Sequence, residues 1–317
     1  MATTVRLKQL AQQIIKALPA KHPLLALAAG LPPVLRSAAL TRVWAYLAAT
    51  LPQTMPLRTN LGFSRRHYRF TSDQARAVFG KPELYAGERG ALELAKALAR
   101  HSQGFVDIGA HLGFFAFYVR EYLDDRCPVY LFEPDPDLFK LITDNVMYAA
   151  LPNVIAVRQA VGHVDGTLTF YKNPEHPDMG SITTVFAEQY QTTPITVEAV
   201  RFDTFVHAHQ LRQMCVKVDV ENAEFEFVEG ASGALDAIDS LIMEVLGPAQ
   251  QKRFVQRMIR EYGFHAYYIN DYQVEYAPDG QFTYVHPQYN WLFCKAAPAA
   301  LRVKLTGSKL KVIEPLA

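Results

Sequence analysis

From about residue 86 onward the chain alternates short apolar runs with helix-patterned stretches, and this alternation limits the folds open to it. "GERGALELAKALAR" reads as a helix, "GFVDIGA" as a buried strand, "GFFAFYVREYL" as a helix and "PVYLFE" as a strand. "DPDLFKLITDNVMYA" is the next helix, with Asp135 as N-cap because its side-chain oxygen can accept a first-turn backbone N–H. "NVIAVRQAV" is the third strand, and "GTLTFYKN" and "ITVEAVRF" are extra strands of an insertion or edge. Strand "CVKVDV", helix "AEFEFVEGAS", strand "SLIMEV" and helix "PAQQKRFVQRMIREYG" resume the alternation. "FHAYYI" and "NWLFCKA" come last, around a turn-rich hairpin. Repeated units of this length imply a mostly parallel sheet with helices on both faces. The expected class is therefore α/β and Rossmann-like.

In such sheets ligands lie beyond the carboxyl ends of the strands, near the switch point. Asp107, Gly109, Gly113 and Glu133 fall around that crevice. Glycines there let the backbone turn tightly and approach a ligand without a Cβ. Glu133 ends the second strand, where a carboxylate accepts hydrogen bonds from the ribose hydroxyls of an adenosine. Dinucleotide sites favour G-x-G-x-x-G, which lays a pyrophosphate on bare backbone and a helix N-terminus. This chain has D-x-G-x-x-x-G, with His111 and Leu112 between the glycines. The leading acid would repel a pyrophosphate but suits the cationic amino-acid part of S-adenosylmethionine.

At "VDIGAHLGFFAFYV", "VYLFEPDPDLFKLITDNV", "VKVDVENAEFEFVEGA" and "IDSLIMEV" the chain resembles the FkbM family of S-adenosylmethionine-dependent methyltransferases, over roughly residues 83 to 296. His111 stands where the family usually has Asn, and Asn222 where it usually has Gly. Asn tolerates left-handed backbone, so Asn222 can replace a glycine at a turn. The resemblance implies a class I methyltransferase fold with a seven-stranded sheet. It also implies O-methylation of a sugar, glycolipid or secondary-metabolite hydroxyl. On that basis Asp107, Gly109 and Gly113 would line the methionine part of the cofactor, Glu133 the ribose, and Ala160 and Val161 the adenine, with His111 offering hydrogen bonds near the cofactor. Asp219 and Glu221 would face the sulfonium and the acceptor.

An alcohol acceptor must lose a proton, and a positioned base contributes roughly 10²–10⁴-fold. Asp219, Glu221 and Glu244 stand at strand ends on the cofactor side and are the candidates, with Asp219 and Glu221 the favoured pair because they sit where the fourth strand meets the crevice. "DVENAE" has a second reading, since acids also stabilise a helix N-terminus. Lys217 shares a strand with Asp219, and the two-residue period puts both on one face. Two alternatives stay open: a ribose 2′-O-methyltransferase, and a methyltransferase-like binding protein without effective turnover.

Charge divides the chain unevenly. Residues 1–72 hold ten Lys/Arg and no acid; the remainder has 22 basic against 31 acidic side chains, a net of −9. The acidic remainder disfavours a phosphate backbone, so no nucleic-acid partner is expected. "VRLKQLAQQIIKAL" and "VLRSAALTRVWAYLAATL" read as helices, and their basic faces suit peripheral contact with an anionic membrane. No stretch is long and apolar enough to span one. Three scattered cysteines and isolated histidines give no metal or disulfide pattern, so a cytoplasmic setting and no metal are expected. The histidines "HAHQ" read as a surface loop. The expected domains are a basic extension over 1–75, a methyltransferase domain over 76–300 and a tail over 301–317.

Overall fold

The computed structural model describes residues 56–59, 66–71, 82–174, 179–245, 248–270, 272–281 and 290–314. The two helices expected near the N-terminus and most of the basic extension lie outside these residues. The chain divides into two units, Met1–Ala86 with Asp144–Leu151, and Gly87–Thr143 with Pro152–Ala317. In the first, Pro56–Thr59 pairs antiparallel with Tyr68–Thr71. There the Asn145 amide grips the Arg69 backbone from both sides: Arg69 N–H donates to its Oδ1 at 2.6 Å and its Nδ2 donates to the Arg69 carbonyl at 2.9 Å.

The second unit is built on a twisted sheet. Helix α1 (Pro82–Ala99) precedes β1 (Gly104–Ile108); α2 (Phe114–Arg120), β2 (Val129–Phe132), α3 (Pro136–Tyr148) and β3 (Val154–Val157) follow. After an insertion come α4 (Phe202–His209), β4 (Met214–Val218), α5 (Glu224–Ala231), β5 (Ile238–Glu244) and α6 (Pro248–Arg260). The chain ends through β6 (His265–Ile269), β7 (Gln273–Tyr276), β8 (Asn290–Cys294), α7 (Pro298–Lys304) and β9 (Lys311–Ile313). In space the order is β9-β7-β6-β8-β5-β4-β1-β2-β3. Strands β3, β2, β1, β4 and β5 are mutually parallel, and β8 runs antiparallel to β5. This is a Rossmann-like class I methyltransferase sheet, with its switch point between β1 and β4.

Three expectations change. The sheet has nine strands rather than seven, because β7 and β9 extend it beyond β6. Lys311–Ile313 pairs parallel with β7, so the stretch read as a tail supplies an edge strand. "NVIAVRQAV" is not one strand: β3 stops at Val157, and Ala160–Gly162 joins a separate four-stranded sheet with Gly166–Lys172, Gly180–Ser181 and Thr193–Arg201.

Side-chain periodicity fixes the layers. Ala91, Leu94, Ala95 and Leu98 recur at helical spacing on α1 and are all buried. On α6, Gln251, Phe254, Val255 and Met258 do the same, and the Gln251 amide donates to the Val245 carbonyl at 2.8 Å. Central strands β1 and β4 are buried at every position, as strands covered on both faces must be. The aromatic-rich "YYINDYQVEY" contributes to packing: Tyr267 and Tyr268 are buried, and Tyr267 lies tilted against Tyr276 with centroids 5.1 Å apart. His207 and His209 sit in the last turn of α4, not in a loop.

Candidate active site

Main-chain hydrogen bonds lock the strand ends together first. Gly109 and Ala110 N–H both donate to the Phe132 carbonyl, at 3.1 and 3.0 Å, and Asp219 N–H donates to Ile108 at 3.0 Å. The turn after β1 is held against the ends of both its neighbours. Gly109 adopts φ +73°, and a Cβ there would lie 1.8 Å from the Asp219 carbonyl oxygen. Gly113 has φ +77°, and its Cβ would strike the Phe117 ring at 2.7 Å. The sequence explained these glycines by ligand approach; the structure supplies a nearer cause, close packing of the chain on itself.

Two buried carboxylates lie on the cofactor side. Asp107 is 1% exposed; its Oδ2 accepts from Ala116 N–H in the first turn of α2 at 3.1 Å. Its Oδ1 is buried without a hydrogen-bond partner, 3.9 Å from Lys217 Nζ. Burial pushes the Asp107 carboxyl up to about 6, against the pull of Lys217. Glu133 accepts His111 N–H on Oε2 at 2.8 Å and Asp135 N–H on Oε1 at 2.9 Å. Its burial pushes it up to about 8 despite those two amides. Asp135 caps α3 as expected, its Oδ1 accepting Asp137 N–H at 2.8 Å.

His111 enters this arrangement through its backbone. Its φ of +50° turns its N–H onto Glu133, which is the local service an Asn or Gly would also perform. Ala160 and Val161 are both 4% exposed, and their side chains pack into apolar clusters: Ala160 with Phe170, Val197 and Ala199, Val161 with Val200 and Phe202.

Across the switch point the polar groups meet through side chains. Lys217 is 7% exposed, and its Nζ donates to Asp219 Oδ2 at 3.0 Å with the Phe115 ring centroid 4.8 Å away. The Asp219 side chain keeps 29% of its surface open. Burial opposes ionisation of Asp219, but the Lys217 charge and hydrogen bond outweigh it and hold the carboxyl below its ordinary value. A side-chain hydrogen bond with Glu244 adds to that. The β4–β5 register sets Val218 beside Met243, bringing the following Asp219 and Glu244 to the same level.

Glu221 and Asn222 take φ +49° and +71° and form the turn into α5. Asn222 N–H donates to Glu224 Oε1 at 3.1 Å, and the buried Glu224 carboxyl is pushed up to about 7 by its burial. Of the three candidate bases, then, Asp219 and Glu244 come together and Glu221 belongs to the turn. Lys217 is the residue absent from the expected site set, and the two-residue strand period was the signal for it. Among the described residues no group of three or more His, Cys, Asp or Glu is arranged to hold a metal ion.

This donor set fits S-adenosylmethionine. Asp107 Oδ1, without a hydrogen-bond partner, is an acceptor that can take a further cationic group beside Lys217. Each Glu133 oxygen, occupied once by an amide, retains a lone pair for a ribose hydroxyl.

The model of the "Methyltransferase FkbM domain" matches residues 107–266. The hexuronic acid methyltransferase AglP of Haloferax volcanii is 26% identical over 179 residues, 56% of this chain and 70% of that protein. Among solved structures, the precorrin-6y C5,15-methyltransferase of Geobacter metallireducens aligns at TM-score 0.36 and 12% identity, over 65% of this chain and 88% of its own. A methyltransferase from Geobacter sulfurreducens aligns at TM-score 0.38 and 13% identity, over 80% and 97%. The domain match spans half the chain and begins at the buried Asp107, and the chain belongs to the FkbM family of S-adenosylmethionine-dependent methyltransferases.

Proposed function

We propose that the enzyme methylates a hydroxyl group of a sugar, with Asp219 as the base that accepts the hydroxyl proton. The observation that carries this reading is the Lys217–Asp219–Glu244 cluster at the ends of β4 and β5, where the Asp219 carboxyl is held below its ordinary value and keeps open surface. S-adenosylmethionine, when bound, supplies a methyl group already activated on a sulfonium. The protein's tasks are alignment and proton removal. Alignment can account for about 7–11 kcal/mol of a barrier.

A carboxylate with a depressed pKa is a weak base towards a free alcohol. It suffices where the hydroxyl proton becomes acidic as its oxygen acquires a new bond. Asp219 orients the hydroxyl by accepting its hydrogen bond, then takes the proton late. Lys217 keeps Asp219 ionised while it waits, and the hydrogen bond from Glu244 favours the same form. Asp107 and Glu133 hold the methionine and ribose parts of the cofactor, with Gly109, His111 and Gly113 shaping the turn that carries them. The sugar assignment is supported by the similarity to a hexuronic acid methyltransferase.

Substitution Asp219→Asn tests the base. It should lower kcat by about 10²–10⁴-fold while calorimetry finds S-adenosylmethionine binding within a few-fold of wild type. Undiminished turnover would remove Asp219 from the mechanism. The acid-free N-terminal 72 residues are proposed to dock on anionic lipid. Flotation with phosphatidylserine vesicles should show salt-sensitive binding that a chain lacking residues 1–56 loses.

A further inference from the structure

Helix α6 carries four basic residues, Lys252, Arg253, Arg257 and Arg260, and no acid. Three of them, Arg253, Arg257 and Arg260, are spaced i, i+4, i+7 and share one helix face across about 10 Å of rise. With Phe225 on α5, and with Gln256 and Glu261, they line a groove of about 380 Å³. Its charge runs against its surroundings, since residues 73–317 are net acidic.

Helix electrostatics account for only part of this. Cations in the last turn of a helix are favoured by its dipole, which covers Arg257 and Arg260 but not the mid-helix Arg253. Arg257 is already engaged, its Nε donating to Glu261 at 2.9 Å and its NH2 nitrogen to the Tyr262 hydroxyl at 3.0 Å. Arg253 and Arg260 are exposed, and among the described residues neither has a carboxylate within ion-pair distance. Two guanidinium forks therefore face solvent in a concave site, flanking an ordered third. Phe225 is fixed at one wall by edge-on packing against Phe254, with centroids 5.0 Å apart.

The groove also has a defined place relative to the reacting groups. Its walls are the two helices that leave the ends of β4 and β5, the strands whose ends carry Asp219 and Glu244. Phe225 lies six residues beyond Asp219. A chain lying along α6 would lead towards that end of the sheet.

We propose that this groove binds an acidic saccharide chain, its carboxylates on Arg253 and Arg260 and a sugar face on Phe225, as the extended part of the acceptor. Guanidinium groups match carboxylates by paired, charge-assisted hydrogen bonds. An aromatic face presents a rigid apolar platform. The inference rests on sugar-directed transfer and adds to it the charge of the acceptor and the surface that reads it.

The test uses the full chain and fluorescence anisotropy with labelled hexagalacturonate, neutral maltohexaose and an oligouridylate of equal charge. Hexagalacturonate should bind about ten-fold more tightly than maltohexaose, with affinity falling as salt rises. The double variant R253E/R260E should lose about ten-fold or more of that affinity, with S-adenosylmethionine binding unchanged by calorimetry as the control for folding. Equal binding by wild type and variant, equal binding of the neutral hexamer, no binding of hexagalacturonate, or tighter binding of the oligouridylate would each overturn the groove assignment. D219N separates the two readings: it should keep hexagalacturonate affinity while losing turnover. If charge reversal abolishes binding and D219N turns over normally, the groove stands and the base assignment falls.

Discussion

The two sides of the switch point hold their carboxylates by different means. At the ends of β1 and β2 the main chain does it: Ala116 N–H serves Asp107, and His111 and Asp135 N–H serve Glu133. At the ends of β4 and β5 side chains do it: Lys217 and Glu244 serve Asp219. Backbone amides are fixed by the turns that present them and carry no titratable proton. Side-chain partners gain and lose protons and can be exchanged singly. The first arrangement suits a site that must hold one cofactor in one pose, the second a site that must pass a proton.

The contrast depends on the two sides staying in contact, and Gly109 is the point at which to break it. Gly109→Ala would set a methyl group into the Asp219 carbonyl, at a φ that L residues rarely adopt. Backbone offers no easy retreat, so we expect a loss of about 3 kcal/mol or more, read as a fall in Tm of about 6–12 °C. A Tm unchanged within 2 °C would show the contact to be less tight than described.

Lys217→Met attacks the side-chain-held half. Removing the cation raises the Asp219 pKa, so the acid limb of kcat/KM should move to higher pH by about one to two units. An acid limb that stays in place would mean that the lysine serves packing alone. The variant should also lose the stability that a depressed carboxylate contributes above its unfolded pKa.

The backbone-held half makes the opposite pH prediction. Glu133 is raised from 4.5 to about 8, so between those values the folded protein keeps a proton that the unfolded chain has lost. Stability of the cofactor-free protein from this source therefore falls as pH rises through that window. Thermal melts at pH 6 and 8 should show the slope, and Glu133→Gln should flatten it. The same substitution puts an amide NH2 where a carboxyl oxygen accepts and should weaken S-adenosylmethionine by about ten-fold, from about 1–3 kcal/mol for an acceptor lost in a buried site. The smallest effect belongs to His111→Asn. Its contribution to Glu133 is a backbone N–H, so cofactor affinity should stay within about three-fold; a larger loss would give the imidazole a role of its own.

Much of this organisation was legible in the sequence. Strand–helix alternation located β1 to β6, β8 and the switch point. Period-two reasoning placed Lys217 beside Asp219, and the tolerance of Asn for left-handed backbone anticipated Asn222 at φ +71°. What escaped depends on distant contacts. Lys311–Ile313 is three residues long, too short to show a period, and becomes a strand only because β7 offers it an edge. The break between Val157 and Ala160 was hidden because both sides are apolar and only the partner strands differ. Glycine identity marked the turn correctly, but no local pattern reveals that the neighbour at Gly109 is a carbonyl 110 residues further along the chain.

A single ammonium group stands between the two sites, 3.0 Å from Asp219 and 3.9 Å from Asp107. Any change of charge at Asp107 alters how strongly Lys217 favours the ionised form of Asp219, and linkage makes that influence mutual. Occupancy of the buried carboxylate and readiness of the exposed one are therefore not independent quantities. Binding at one side of the crevice should be accompanied by a measurable movement of protons at the other.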